Sequence, residues 1–424
     1  MKAHLIAWLL IRKPKMLIFS RLSQAFLTCF VAIILAGCNT TTDTSYEPET
    51  QLSDRKVVEV TQVKKPNKIS PRLEAKLAQR KTINPFLSFY TDQFTSKKYG
   101  LFFTAEPPKS TNSVMLSVVQ WMYYFPDAPW DYIPGIEEFT MQKNWNHSDE
   151  YGKTLAVAYR SPGFSNFIAN GALKKTTKFQ SDGVWLDWWH NWHPATGYSN
   201  AQVEQARTKI VKAIRAKLGD EKIIMANPAM NKDKATASEL SGVFLELVKS
   251  ESQSKSVYTT QQLKDIQQLI LFYEENLRYP KIIAIDGWRA TSVSDDDKIV
   301  TWRKDRNSTV NRRMAKLITA LSVVLPTNGY IMYSDNNHDS LITEHGHEYY
   351  DFYSFDIGKP TGPRVKVSNG VSYKQHQEGF IAYNITSRAK SFEINGSNRT
   401  VSIEPKSGLF CKETGDAFDC LAVD

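Results

Sequence analysis

No aspartate or glutamate occurs in the first 37 of the 424 residues. Cysteine is scarce too, with four in the whole chain. There is no Gly-x-Ser-x-Gly elbow and no P-loop, which removes the signatures of an α/β-hydrolase serine nucleophile and of P-loop nucleotide chemistry. No glycine-rich phosphate loop follows the first apolar run, so an open doubly wound dinucleotide fold lacks its fingerprint. The apolar stretch from Leu22 to Ala36, interrupted by Ser23, Gln24 and Thr28, is shorter than the ~20 residues of a membrane-spanning helix.

What is present at the N-terminus is a targeting pattern. Lys2, Arg12, Lys13, Lys15 and Arg21 form a basic region, the apolar stretch follows, and Leu35-Ala36-Gly37-Cys38 closes it. Charge, apolar core and small residues before a cleavage point describe a secretory signal over 1–37. Leu-Ala-Gly-Cys resembles the bacterial lipobox. The resemblance implies cleavage before Cys38, diacylglycerol on its sulfur and an acyl group on its new amine. Several acyl chains on one residue meet the requirement for stable anchoring. Asn39 follows, and by resemblance to lipoprotein sorting the absence of Asp there favours the outer membrane. The formal charge of +9 falls to +4 once the five basic residues leave, too small an excess for a nucleic-acid binder. Part of it lies in Lys64-Lys65-Pro66-Asn67-Lys68 and in Arg72 to Lys81, close enough to the anchor to touch anionic head groups.

Cys29 departs with the signal and Cys38 takes lipid, leaving Cys411 and Cys420, nine positions apart, in a compartment that permits disulfides. They are expected to be bonded within a C-terminal hairpin. The other reading, free thiols or metal ligands, has no His or further Cys nearby in sequence.

Residues 38–83 are expected to form a lipidated tether, polar at first, with a short basic helix over 71–83. Folding is expected to begin near Asn84. Eight apolar runs then alternate with amphipathic stretches: Tyr99–Thr104, Met115–Gln120, Leu155–Tyr159, Gly183–Asp187, Ile223–Asn227, Val243–Leu247, Ile282–Asp286 and Tyr330–Ser334. Near-continuous apolar runs suit parallel strands covered on both faces. Ser199 to Gln202 matches a capping box. Val203, Ala206, Ile210, Val211, Ile214 and Leu218 then follow one helical face, and Gly219 can end it. Leu263, Ile266, Leu269, Ile270 and Tyr273 repeat the pattern, as do Met314, Leu317, Ile318 and Leu321. The alternation predicts an α/β fold, a (β/α)₈ barrel over 84–350. Short alternating runs after 350, with Asn395-Gly396 at a hairpin turn, predict a small antiparallel β domain over 351–424.

Active sites of such barrels form at the carboxyl ends of the strands. Asp187, Asn227, Glu246, Asp286, Tyr333 and Asp335 end the last five runs there, while Asp182 starts its strand and so belongs to the opposite end. Glycosidic cleavage needs one carboxyl to protonate the leaving oxygen and a second to attack carbon or activate water. Two such groups across one pocket would have their pKa values driven apart. Trp188, Trp189 and Trp192 follow Asp187, and Trp288 and Arg289 follow Asp286; aromatic rings suit the C–H faces of sugars. A strand-end acid also serves as an ion-pair or helix-cap partner, and Trp as core. Aligned acids on three strands beside Trp clusters favour the sugar site.

Asp182-Gly-Val-Trp-Leu-Asp187 resembles a strand of glycoside-hydrolase-like barrels, above all the family catalogued as hypothetical glycosyl hydrolase family fifteen and, more distantly, polygalactosaminidase-like barrels. Asn328-Gly329-Tyr330 within Leu325 to Tyr333, Ile357 to Pro363, and Glu378-Gly379-Phe380 through Asn384 are similar to its last strand, linker and terminal β module. The likeness spans roughly 95–410. It implies a sugar-hydrolase fold in which Asp187 is nucleophile or base and Glu246 the general acid. Trp188, Trp189, His190, Asn227, Asp286, Trp288, Arg289, Tyr333 and Asp335 are the expected substrate-binding set.

His190 and His193 suggest either a metal pair or bonds to hydroxyls and backbone, and no strict zinc motif supports the metal. Asp295 to Asp297 reads as a calcium loop or a solvated surface loop, and Asn395-Gly-Ser397 is a sequon by pattern alone. No metal or cofactor is expected. Two functions remain open at this stage. One is hydrolysis of an envelope or extracellular polysaccharide. The other is a non-catalytic glycan-binding lipoprotein of polysaccharide export or assembly.

Overall fold

The computed structural model describes residues 68–88, 98–104, 107, 112–126, 133–144, 155–191, 193, 196–247, 258–288, 308–334, 349–397, 399–415 and 417–421, without side-chain detail at 142–144, 288 and 334. Helix α1 (Pro71–Ala78) comes first, with Ser70 accepting from Leu73 N at its N-cap and proline in its first turn. Strands β1 (Phe86–Ser88), β2 (Leu101–Thr104) and β3 (Val114–Val119) follow. A side sheet comes next, β4 (Tyr123–Tyr124), β5 (Thr140–Asn144) and β6 (Leu155–Val157), then helix α2 (Phe164–Phe179). The chain continues through β7 (Gly183–Leu186), α3 (Asn200–Leu218), β8 (Ile223–Ala226), β9 (Gly242–Glu246), α4 (Thr260–Asn276), β10 (Ile282–Trp288), α5 (Thr309–Val324) and β11 (Asn328–Ser334).

Strands β1, β2, β3, β7, β8, β9, β10 and β11 form one eight-stranded parallel sheet in chain order. A parallel bridge between Pro85 and Ile331 brings β1 to β11, with Ile331 N donating to Asn84 O at 3.0 Å. This is a nearly closed (β/α)₈-type barrel, although β8 reaches β9 through a 3₁₀ turn (Ala237–Glu239) in place of an α-helix.

Seven of the eight expected runs are barrel strands. Leu155–Tyr159 is not: its strand, β6, pairs antiparallel with β4 and β5 outside the barrel. The strand it displaced is β1, three residues long and directly after Pro85, too short to show as an apolar run. The two differences cancel, so Gly183–Leu186 is still the fourth barrel strand.

Side-chain alternation sorts the core. Phe86, Leu101, Phe103, Leu116, Val118, Trp185, Ile223, Met225, Phe244, Ala284 and Met332 fill the interior, with Phe103 stacked on Trp185 at 4.8 Å. Val184, Leu186, Ile224, Val243, Leu245, Ile283 and Ile285 face outward, in one cluster with the helices. The buried faces of α3 and α4 are the expected ones. Both helices begin with capping boxes, Ser199 with Gln202 and Thr259 with Gln262. Ile69, Leu73 and Leu77 close the interior at the amino ends of the strands, so the packed structure starts before Asn84. Asp182 lies at that closed end as expected, accepting from Lys76 Nζ at 2.6 Å and Met115 N at 2.8 Å.

Two motif glycines have steric reasons. A Cβ on Gly183 would lie 2.0 Å from Ile223 O on the next strand, and one on Gly329 would lie 1.7 Å from Ser322 O in α5. Neither position admits a side chain.

The C-terminal strands are β12 (Val365–Ser368), β13 (Val371–His376), β14 (Gly379–Asn384), β15 (Lys390–Ile394), β16 (Arg399–Ile403), β17 (Ser407–Thr414) and β18 (Ala417–Cys420). All pairs are antiparallel, in a sheet ordered β12-β13-β14-β17-β18 and a separate β15-β16 ribbon. Cys411 and Cys420 face each other in the β17–β18 register and are disulfide-bonded. The sheet packs on α5, and buried Lys374 of β13 donates to Val323 O and Pro326 O, both at 2.7 Å, across the contact. No described helix is long and apolar enough to cross a membrane.

Candidate active site

Six strands carry a polar residue of interior parity at the carboxyl mouth. Ser88 ends β1, and Gln120, Asp187 and Asn227 stand one position past β3, β7 and β8. Glu246 ends β9, and Asp286 is its register partner on β10. By alternation each shares the parity of an interior residue two positions earlier: Phe86, Val118, Trp185, Met225, Phe244 and Ala284. Asp187 and Glu246 are half-buried, and Asp286 is fully buried.

Asn227 joins the two central acids. Its Nδ2 donates to Asp187 Oδ1 at 3.0 Å and to Glu246 Oε2 at 3.2 Å. Its Oδ1 accepts from Ala229 N at 2.9 Å, which fixes the amide orientation. Both carboxyls are thus tied to one nitrogen, with their acceptor oxygens at the same mouth.

The segment after Asp187 is held in unusual geometry. Trp188 has φ +53°, a left-handed conformation that is costly for a bulky residue, and its N–H donates to Asp187 Oδ1 at 2.8 Å. Ala229, beyond Asn227, is left-handed too, at φ +50°. Buried contacts impose this shape. Trp121 Nε1 donates to Asp187 O at 2.7 Å. Arg207 of α3 donates to Trp189 O at 2.9 Å, Asn191 Oδ1 at 2.6 Å and Asp233 Oδ2 at 2.8 Å. Trp121 and Arg207 lie on other elements, so their roles become visible only in the fold. Gln120 ends an expected run and was open to the strand-end rule.

The histidines belong to this support. His193 is buried, with Nε2 3.2 Å from Trp188 O and Nδ1 2.8 Å from Tyr159 Oη. A carbonyl only accepts, so Nε2 carries the proton and Tyr159 donates to Nδ1. Both ring nitrogens are thereby engaged by protein groups, which favours the backbone-bonding reading over the metal one. Burial, then neighbouring His190, lowers the His193 pKa to about 3; burial, then Arg207, lowers that of His190 to about 4. Unfolded histidine titrates near 6.5. Between that value and the folded ones the unfolded chain binds more protons, so stability is full above pH ~6.5 and falls as pH drops toward 4. Thermal melts over pH 7 to 4 should show this loss, and His193→Gln should flatten its slope. A slope unchanged by the substitution would place the acid sensitivity elsewhere.

Not every expected site residue reaches the mouth. Asp187, Asn227, Glu246 and Asp286 are brought together there, with Trp188 and His190 half-buried beside Asp187, their rings 5.6 Å apart. Trp189 is not a sugar platform. It is fully buried, its ring set edge-on to Trp121 at 5.0 Å and its Nε1 donating to Thr236 Oγ1 at 2.8 Å. Tyr333 is fully buried as well and has outward parity, packing against Tyr350 in the outer cluster. Trp192, Arg289, Asp295 to Asp297, Asp335 and the Trp288 side chain lie outside the described residues, as does Cys38.

No protein-family model matches the chain, and no curated protein matches it. Among solved structures it is similar to an alpha-amylase from Geobacillus thermoleovorans complexed with acarbose, at 9% identity and a TM-score of 0.44, over 78% of this chain and 97% of that one. The glycoside hydrolase domain of PelA from Pseudomonas aeruginosa matches at 11% identity and a TM-score of 0.39, over 59% of this chain and 94% of that one. Ega3 from Aspergillus fumigatus, in complex with galactosamine, matches at 11% identity and a TM-score of 0.36, over 50% of this chain and 79% of that one.

Proposed function

We propose that this chain is a glycoside hydrolase of the bacterial cell envelope, lipid-anchored at Cys38 on the outer membrane, and that it cleaves a polysaccharide with retention of configuration. One observation carries the catalytic part: a single Asn227 nitrogen donates to both Asp187 and Glu246. Carboxyls close enough to share one donor fit the short separation of retaining enzymes (about 5–5.5 Å) better than that of inverting ones (about 6.5–9.5 Å).

In this reading Asp187 attacks the anomeric carbon while Glu246 gives its proton to the leaving glycosidic oxygen. A glycosyl ester on Asp187 results. Glu246, now ionised, takes a proton from water, the water oxygen attacks the same carbon, and the ester breaks to free Asp187. Asn227 holds both carboxyls in place between the two steps. The N–H of Trp188 donates to Asp187 Oδ1 and fixes the direction of that carboxyl.

Trp188 is the aromatic that supports a sugar contact, half-buried beside the nucleophile. Trp188→Ala is expected to raise KM by about tenfold, with kcat changed far less and the melting temperature nearly unmoved. Initial-rate kinetics on a reducing-end panel of envelope polysaccharides check this. An unchanged KM would remove Trp188 from the binding surface.

A further inference from the structure

The closed end of the barrel holds a cavity of about 220 Å³ at the amino ends of β1, β2 and β3, opposite the mouth with the acids. Lys76, Arg80, Lys81 and Lys98 line it together with Asn84, Asn112 and Ser113, and no acid is among its described lining residues. Two of the cations are built into the wall. Lys76 is buried against Asp182, and Arg80 donates to Asn328 Oδ1 at 2.7 Å and Gly329 O at 2.8 Å. Lys81 and Lys98 are exposed, and Lys98 Nζ sits 5.2 Å from the Tyr349 ring centre. Exposed Asn112 adds an amide.

Two acids among the described residues offset part of this charge. Asp182 is paired with Lys76 and Arg72, and Asp356, which accepts from the Thr82 hydroxyl and backbone, feels the charge of Lys81. Burial lowers the pKa of Lys76 against the raising effect of Asp182, and burial followed by Arg80 lowers that of Lys359. Arg80, Lys81 and Lys98 outnumber Asp356, so a positive excess remains around the cavity. The chain also enters the fold here, since Ile69 is part of the barrel floor.

We propose that this cavity binds a phosphate-type oxyanion, with Lys81, Lys98 and Asn112 as its contacts and Arg80 supplying a fixed field. Such a group comes either from a phospholipid head group or as free phosphate. The site is independent of the hydrolase reading.

The test uses the chain from position 38 onward carrying Cys38→Ser, so that neither the basic, apolar signal nor an acyl group mediates binding. Its affinity is measured for inorganic phosphate and for phosphatidylcholine vesicles with and without phosphatidylglycerol. Lys81→Glu with Lys98→Glu should weaken binding by at least about tenfold. Lys209→Glu with Lys212→Glu, the same charge change on exposed positions of α3, should leave it intact. Asn112→Asp gives a second, milder lesion in the cavity. Phosphate binding with that variant pattern identifies a soluble anion, and binding of phosphatidylglycerol vesicles alone identifies a head group; either supports the site. No binding of either probe, or equal weakening by both double variants, overturns it.

Discussion

Asp187→Asn and Glu246→Gln should each reduce release of reducing ends by about a thousandfold or more, with melting temperatures close to that of the parent. The magnitude follows from the chemistry. Removing a general acid costs about 10²–10⁴ in rate, and removing a nucleophile blocks the covalent intermediate altogether. Stability is spared because an amide oxygen still accepts from Asn227 Nδ2, and from Trp188 N at position 187, while both positions are half-buried. The two variants should also differ. Glu246→Gln should keep measurable activity on substrates with a good leaving group, which need no protonation, and Asp187→Asn should not. Wild-type rates in both variants would end the two-carboxylate reading. Glycan binding without products from any chain, the parent included, would instead favour a glycan-binding lipoprotein.

Trp189→Ala should act on the fold. The ring is fully buried between Trp121 and Arg207, whose guanidinium carbon lies 5.6 Å from its centre. Truncating a buried Trp costs roughly 3–5 kcal/mol, and here the Thr236 hydroxyl also loses its indole partner. A melting temperature lower by on the order of 10 °C is expected. The neighbouring Trp188→Ala should do the reverse, altering KM and sparing stability. Calorimetry on the pair separates the roles. A stable Trp189→Ala protein with a raised KM would return Trp189 to the binding surface.

The adjacent tryptophans show how far sequence reading reaches. A composition argument treats them alike, because both follow the acid directly. What separates them is the left-handed backbone at Trp188, held by Trp121 and Arg207 from other elements and by His193 five residues on. No local pattern encodes that turn. Tyr333 is different. Interior Tyr330 and Met332 set the parity of β11, so alternation alone sends Tyr333 outward. The strands were legible where apolar runs were long, as in β10, and illegible where Pro85 shortened β1 to three residues. Helix α3 was legible from cap to buried face because its signals are local. Asn227 could be placed at a strand end, but its bridge to both acids depends on the register of β7, β8 and β9.

The decisive measurement is the anomeric configuration of the sugar first released from a cleaved polysaccharide, followed by proton NMR before mutarotation. Two carboxyls held by one shared amide nitrogen predict the same anomer as in the substrate. Release of the opposite anomer would contradict the arrangement of Asp187, Asn227 and Glu246 as the working centre.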